Sequence, residues 1–302
     1  MSLVYRPVEK ADLQAIARVF AASLNQRHLE TGLEPIVDLA DETAWKAMWE
    51  NERRPLFEHV SAHNAVGWLA EEDGEVLGYA RSIQRGDVCQ LTDFFVHPDR
   101  QLAGLGRELL SRAFEQVKSP SRLILANSNP AAISRYMRAG VYPFCTIFDF
   151  ERKARPVSIE TDLQIGSLAS EARELEALNQ IDQALLGYTR PQEHTWLGSQ
   201  RERFVFFRNG APVGYGYAGK WSGPIAALDE ADVPAIMAHV ETSIAQSEAT
   251  FSVMLPLPNR TGMAYLLDQD FRLDTGHTMY FMADFAPPGL DRYIFSMPGF
   301  FT

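Results

Sequence analysis

Two tandem copies of one α/β unit are what this sequence predicts, and three internal matches predict it. The stretch DGEVLGYA (Asp73 to Ala80) recurs as NGAPVGYGYA (Asn209 to Ala218), each a tight turn followed by a strand carrying Gly-Tyr, so Gly78 matches Gly214 at an offset of 136. NPAAISRYMRAGVYP (Asn129 to Pro143) matches NRTGMAYLLDQDFRL (Asn259 to Leu273) at an offset of 130, each an Asn before a short helix. The starts also correspond, since LVYRPVEKADLQAIARVF and LQIGSLASEARELEALNQI both read as a short strand turning into an amphipathic helix. The charged, proline-containing segment ERKARPVS (Glu151 to Ser158) is the join, which places the domains at 1–153 and 154–302. A chain of 302 residues is long enough for two domains of roughly 150.

In the first copy, the opening strand and helix are followed by a helical segment from Glu42 to Asn64, expected to lie beside whatever site the sheet carries. Val76–Ile83, Val88–Val96 and Arg122–Asn127 are rich in branched and aromatic residues and read as strands. Leu105, Leu109, Ala113 and Val117 recur every fourth residue, with Arg107, Glu108, Ser111, Arg112 and Glu115 on the other face, so this helix packs one stripe on the sheet. A second helix begins where Asn129 can cap and Pro130 can occupy the first turn, and it should stop near Gly140.

Composition narrows the functional classes. An apolar content of 46%, with 17 prolines and 20 glycines spread throughout, is that of a soluble globular protein. No apolar run approaches eighteen residues and the first residues have no leader-like apolar core, so no membrane association and a cytoplasmic location are expected. Cys89 and Cys145 are too few for a disulfide framework or a thiolate metal site and are expected as buried thiols; no His/Cys/Asp/Glu spacing suggests a metal. A net charge of -11 argues against nucleic acid as a partner and would suit a small cationic substrate.

Gly104 and Gly106 stand between a strand ending at Val96 and a helix starting near Leu105, where free amides of the first helical turn can meet an anion. A dinucleotide fingerprint would need a third glycine where Leu109 stands, and a triphosphatase loop would need Lys-Ser/Thr where Arg107 and Glu108 follow Gly106. Neither motif fits. Val96, Pro98, Gln101, Gly104 and Gly106 in FFVHPDRQLAGLG, followed by Asn129, Ala132, Ile133, Tyr136 and Gly140, resemble the successive motifs of the GNAT superfamily of N-acetyltransferases, with Val141 replacing the usual Phe. The likeness runs in order through residues 3 to 150.

That resemblance implies that each copy is a mixed, mostly antiparallel twisted sheet flanked by helices, and that the first copy takes acetyl-CoA as co-substrate. The backbone of Phe94, Phe95 and Val96 would pair with the pantetheine arm and polarise the thioester; Gln101, Leu102, Ala103, Gly104, Leu105, Gly106 and Arg107 would hold the pyrophosphate; Asn129, Ala132 and Tyr136 would complete the cofactor site. The basic residues Arg100, Arg107, Arg112, Arg135 and Arg138 are consistent with a highly charged ligand, and Arg112 and Arg138 read equally well as a solvated helix face. Tyr136 is at the position of the general acid that protonates the departing thiolate. For the general base, Asp93 lies on the right strand, with Glu58 and His59 as rivals.

The second copy has lost the glycines. At an offset of 130, Pro234 and Ile236 stand for Gly104 and Gly106, Asp229, Glu230 and Asp232 crowd the helix start, and Leu266 replaces Tyr136, with neighbouring Tyr265 leaving the register open. The expectation is one active site: an N-acetyltransferase acting on a primary amine, monomeric or homodimeric, with a degenerate second domain. Two alternatives stand beside it, a non-catalytic acyl-CoA sensor and a purely structural pair.

Overall fold

A computed structural model describes residues 3–62, 65–100, 104–115, 119–219, 221–247, 249–297 and 299. Contacts divide the chain into two compact units, residues 1–123 and 124–302.

The first unit contains β1 (Val4–Pro7), α1 (Leu13–Glu30), α2 (Glu42–Met48), a π-helical turn (Trp49–Arg53), α3 (Arg54–Ala62), β2 (Ala65–Glu72), β3 (Glu75–Arg85), β4 (Val88–Val96) and α4 (Leu105–Glu115); β5 (Ser121–Asn127) runs across the division. Strands β1 to β4 pair in sequence order through antiparallel ladders. Strand β4 has the expected bounds, and the Glu42–Asn64 segment is helical as far as Ala62. Helix α1 buries Leu13, Ile16, Ala17, Phe20 and Ala21, an i, i+3, i+4 stripe, against the sheet. Asp41 starts α2 by accepting from the backbone N–H groups of Thr43 and Ala44.

The repeated Gly-Tyr strands have a physical origin that recurs in both copies. Each is entered by a two-residue hairpin turn with positive φ at both positions, Asp73 and Gly74 in one and Asn209 and Gly210 in the other. A Cβ at Gly78 would lie 2.9 Å from the Phe95 carbonyl oxygen and 3.1 Å from Leu105 Cδ2, so only glycine lets α4 close on β3 there. Gly214 has the same role, with Ile236 Cδ1 2.6 Å from the position a Cβ would take.

The second unit holds α5 (Pro130–Arg138), β6 (Tyr142–Lys153), β7 (Gln164–Gly166), α6 (Glu171–Leu186), α7 (Pro191–Gln200), β8 (Glu202–Arg208), β9 (Ala211–Ala218), β10 (Ile225–Ala227), α8 (Val233–Ala245), β11 (Thr250–Pro256), α9 (Arg260–Asp268), β12 (Arg272–Ala283) and β13 (Tyr293–Ile294). Strands β7, β8, β9, β10 and β13 form one antiparallel sheet in that spatial order. Strand β6, from the first repeat by sequence, lies between β12 and β11 of the second and pairs antiparallel with both. This exchange is why the compact units and the sequence repeats divide at different residues. Arg152 at the end of β6 is anchored by Glu241 of α8 through a two-pronged ion pair, with Nη2 2.6 Å from Oε2 and Nε 2.8 Å from Oε1.

Inside the second sheet's helical cover is a sealed polar network. Arg190 Nε donates to Asp182 Oδ2 at 2.6 Å, His194 Nε2 lies 2.8 Å from the same oxygen, Arg190 Nη2 donates to Tyr215 at 2.8 Å, and Tyr215 donates to Asp182 Oδ1. Burial alone would push the Asp182 carboxyl up, but the charge of Arg190 and the hydrogen bond from His194 hold it well below the usual carboxylate range. With Asp182 ionised, His194 carries its proton on Nε2 and accepts from Tyr217 at Nδ1, 2.9 Å away. Asp182→Asn should therefore lower unfolding stability by about 3 to 5 kcal/mol in urea titrations, because Arg190 would be left buried without its counter-charge.

Candidate active site

Strand β4 is regular from Val88, then carries one extra residue: Arg81 and Ser82 on β3 oppose Asp93 and Leu91, so Thr92 is a bulge. The bulge bends the strand just before Phe94, Phe95 and Val96, three half-buried residues. The Val96 carbonyl accepts from Ser23 Oγ of α1 at 3.1 Å.

Beyond β4, a 3₁₀ turn over Pro98–Arg100 leads toward α4, and Gln101, Leu102 and Ala103 lie outside the described residues. Gly104 is exposed with φ +97, and a Cβ there would project into open space. Its carbonyl accepts from the Glu108 N–H at 3.0 Å, which makes it the last residue before the helix. The amides of Leu105, Gly106 and Arg107 then have no helical carbonyl to bond and carry the positive end of the helix dipole. Leu105 and Gly106 are buried against the sheet, whereas Arg107 is exposed and makes no ion pair among the described residues.

The other arginines divide. Arg100 pairs with Glu75 at 3.0 Å and Arg112 with Glu108 at 2.7 Å, with the Arg112 guanidinium also stacked 4.7 Å over Trp68. Arg112 thus serves the packing of α4 on β2. Arg135 and Arg138 are exposed on α5. Helix α4 ends at Glu115, and Val117 of the expected stripe lies outside the described residues.

Asp93 is sealed, at 2% exposure. Arg81 Nε and Thr92 Oγ1 donate to Oδ2 at 2.9 and 3.0 Å, and the Tyr79 hydroxyl donates to Oδ1 at 3.3 Å. Burial pushes its carboxyl upward, against the opposing pull of Arg81. Arg81 also donates to Ser61 Oγ at 2.9 Å and to the Phe57 carbonyl at 3.2 Å, tying β3 and β4 to α3. Arg81 and Tyr79 escape sequence reasoning; the one trace is their alternation with Ala80 in a strand whose inward face is otherwise apolar. Of the rival bases, Glu58 is bound by Arg54 and Lys10, and His59 is half-buried on the same helix.

Asn129, Ala132 and Tyr136 belong to the second compact unit. The Asn129 side chain accepts from the N–H groups of Ala131 and Ala132 and so starts α5, with Pro130 in its first turn. Tyr136 is 6% exposed, and burial pushes its phenol well above the ordinary value. Gly140 has φ +83 and ends the helix as expected.

The second repeat differs where the glycine loop stands in the first. Eight residues, 97 to 104, link β4 to α4, but only five, 228 to 232, link β10 to α8. The residue before the helix, equivalent to Gly104, is therefore Asp232, which corrects the expected match of Pro234. Its carboxylate accepts two hydrogen bonds from Arg208, at 2.7 and 2.9 Å, while Asp229 accepts from the Ala231 N–H at 3.0 Å. Helices α5 and α9 begin at equivalent Asn caps and end at residues of positive φ, Gly140 and Asp270, so Leu266 takes the place of Tyr136. Among the described residues no cluster of His, Cys, Asp and Glu could hold a metal, and no helix is long and apolar enough to cross a membrane. Cys89 is buried and Cys145 half-buried, its thiol pushed up to about 11 by burial.

Residues 34–141 match the model of the acetyltransferase (GNAT) family. No curated protein matches the sequence. Among solved structures, a Pyrococcus horikoshii protein provisionally classed as an acetyltransferase superposes with a TM-score of 0.69 at 14% identity, covering 96% of this chain and 92% of its own. A GCN5-related N-acetyltransferase from Sphaerobacter thermophilus gives 0.60 at 17% identity over 96% and 97%. A tandem GNAT protein from the clavulanic acid biosynthesis pathway gives 0.60 at 12% identity over 95% and 99%. At these identities the structural likeness speaks for the fold, and the family match speaks for acyl transfer as the chemistry. Residues 34–141 therefore match a GNAT-family domain, and nearly the whole chain shares the fold of the solved GNAT structures on which it superposes.

Proposed function

We propose that the first repeat, residues 1–153, transfers an acetyl group from acetyl-CoA to a primary amine of a small molecule or peptide by direct attack in a ternary complex, and that the second, residues 154–302, is a degenerate copy without a cofactor. The observation that carries this reading is the contrast at one position: Gly104, exposed at positive φ before a helix with free amides, against Asp232, a carboxylate held by Arg208. An anion is attracted to the first and repelled by the second.

In this reading the loop from Gln101 to Arg107 takes the pyrophosphate, and the bent segment Phe94–Val96 offers backbone groups to the pantetheine arm and the thioester carbonyl. The neutral amine attacks the carbonyl carbon, the C–N bond forms, the C–S bond breaks, and the CoA thiolate takes a proton from Tyr136. The nitrogen loses a proton to water or to a base. Asp93 was the first expectation for that base; with both oxygens already accepting hydrogen bonds and almost no exposure, it is better suited to hold Arg81 and the β3–β4 register. Cytoplasmic location and a monomeric or dimeric state remain part of the proposal.

The test is release of free CoA thiol with a panel of amines. Turnover supports the reading; CoA binding without turnover for any amine points to the sensor, and no CoA affinity by calorimetry to a structural pair. The loop has its own test: Gly104→Ala forces a β-carbon into φ +97 at a cost of about 1 to 3 kcal/mol. Its CoA affinity should fall roughly tenfold, with the rest of the fold unchanged in its circular dichroism.

A further inference from the structure

The π-helical turn Trp49–Arg53 ends on an arginine that no carboxylate hydrogen-bonds among the described residues. Arg53 is partly exposed, yet its Nε is buried without a hydrogen-bond partner, and the side chain makes no hydrogen bond or ion pair among the described residues. Glu50 and Glu58 are both taken by Arg54, at 2.7 and 3.3 Å, and Glu52, exposed on the turn, acts on Arg53 through its charge without a hydrogen bond to it. Its guanidinium sits 5.0 Å over the ring of Phe20, whose edge meets Phe95 at 5.0 Å between centroids. Phe95 is in the β4 segment assigned above to the thioester, so a single ring, that of Phe20, separates Arg53 from a residue of that segment. A second donor of the same aromatic cluster, Trp45 Nε1, is also buried without an acceptor. Burial lowers the affinity of Arg53 for its proton, the mark of a charge that gains from a counter-charge.

The second repeat shows what the same place looks like when it is closed. The pair Arg54-Pro55 at the start of α3 recurs as Arg190-Pro191 at the start of α7, at the 136-residue offset that also relates Tyr79 to Tyr215. There, only four residues join α6 to α7, and Arg190 is fully inside, bound to Asp182 and to Tyr215. In the first repeat 23 residues, 31 to 53, separate α1 from α3; Arg54 stays on the surface, Tyr79 donates to the Asp93 that Arg81 pairs, and the charge of Arg53 also reaches Tyr79. The second repeat thus gives the arginine before its helix a hydrogen-bonded carboxylate, whereas in the first Asp93 is taken by Arg81 and Arg53 has no hydrogen-bonded carboxylate among the described residues.

We propose that Arg53 binds the carboxylate of the acceptor, so the substrate class is a small primary amine that also carries a carboxylate. This rests on the acetyl-transfer reading and names its acceptor. The planar guanidinium would take the carboxylate through paired hydrogen bonds while the aromatic cluster of Phe20, Trp49 and Phe57 excludes water.

The experiment uses matched pairs differing only in the carboxylate: phenylalanine against phenethylamine, leucine against isopentylamine, and lysine against 1,5-diaminopentane. The wild-type chain should favour the carboxylate member of at least one pair by about tenfold in kcat/KM. Arg53→Gln should raise KM for that member roughly 10- to 100-fold, leave kcat within about threefold, and leave the carboxylate-free amine unchanged; Arg53→Lys should recover part of the loss. A wild-type preference for the carboxylate-free member throughout, or an equal effect of Arg53→Gln on both members, overturns the assignment. If no amine is acetylated, the acetyl-transfer reading fails by itself, and calorimetry of the three amino acids in the presence of CoA decides on Arg53. Binding lost in Arg53→Gln supports it, and equal or absent binding in the two proteins overturns it.

Discussion

A chain ending at Lys153 will not give a soluble protein that melts cooperatively. Strand β6 would lose the partners on both of its edges at once, since residues 147 to 153 pair with β11 and residues 142 to 151 with β12. Twelve residues of strand would then present two rows of unpaired backbone groups, with Ile147 and Phe150, 1% and 3% exposed in the whole chain, uncovered beside them. Arg152 would also lose Glu241. An edge of that length and composition aggregates, so soluble yield should fall by about tenfold or more. Co-expression of residues 154–302 should restore it, because that fragment brings β11 and β12. A monomeric, cooperatively melting 1–153 fragment would refute the exchange of β6.

Tyr136→Phe should lower kcat by roughly 10²- to 10³-fold while CoA affinity, read by calorimetry, stays nearly unchanged. The substitution keeps the ring that packs in α5 and removes only the hydroxyl. The pH dependence carries a sign that can be worked out. Burial raises the phenol above its ordinary value of 10.0, so the proton is held throughout the neutral range and still held as pH passes 10. No alkaline fall in wild-type kcat below pH 10 should therefore come from Tyr136, and any such fall would persist in the Phe variant. Stability moves the other way: above pH 10 the unfolded chain releases this proton before the folded one does, so folding weakens as pH rises, and less so in Tyr136→Phe. Unchanged turnover in the variant would remove Tyr136 from the mechanism.

Local chemistry made much of this protein legible. Asp73-Gly74 and Asn209-Gly210 announce hairpins because only a few residues tolerate positive φ at both turn positions. Asn129 and Pro130 announce α5 because a cap and a first-turn proline act within four residues of themselves. The fourfold spacing of Leu105, Leu109 and Ala113 sets which face of α4 is buried, and all three are buried.

Pairings between distant residues carry no such local signal. Nothing in the letters of β6 distinguishes a strand that stays with its own repeat from one inserted between β11 and β12, because alternation of apolar residues sets the face of a strand and not its neighbour. Asp93 read as a candidate base on a well-placed strand; its sealing follows from Arg81 directly across the ladder and Ser61 on a helix twenty residues before that arginine. Arg53 and Arg54 are adjacent and identical in kind, yet one turn of π-helix turns the first toward Phe20 and leaves the second with Glu50 and Glu58. The sequence by itself determined the repeats, their turns, the caps and the loss of glycine in the second copy, all of which are local preferences. Which charges are neutralised, which strand completes which sheet and which arginine is left for a ligand were decided only by tertiary structure, because burial and pairing depend on what the chain brings from far away.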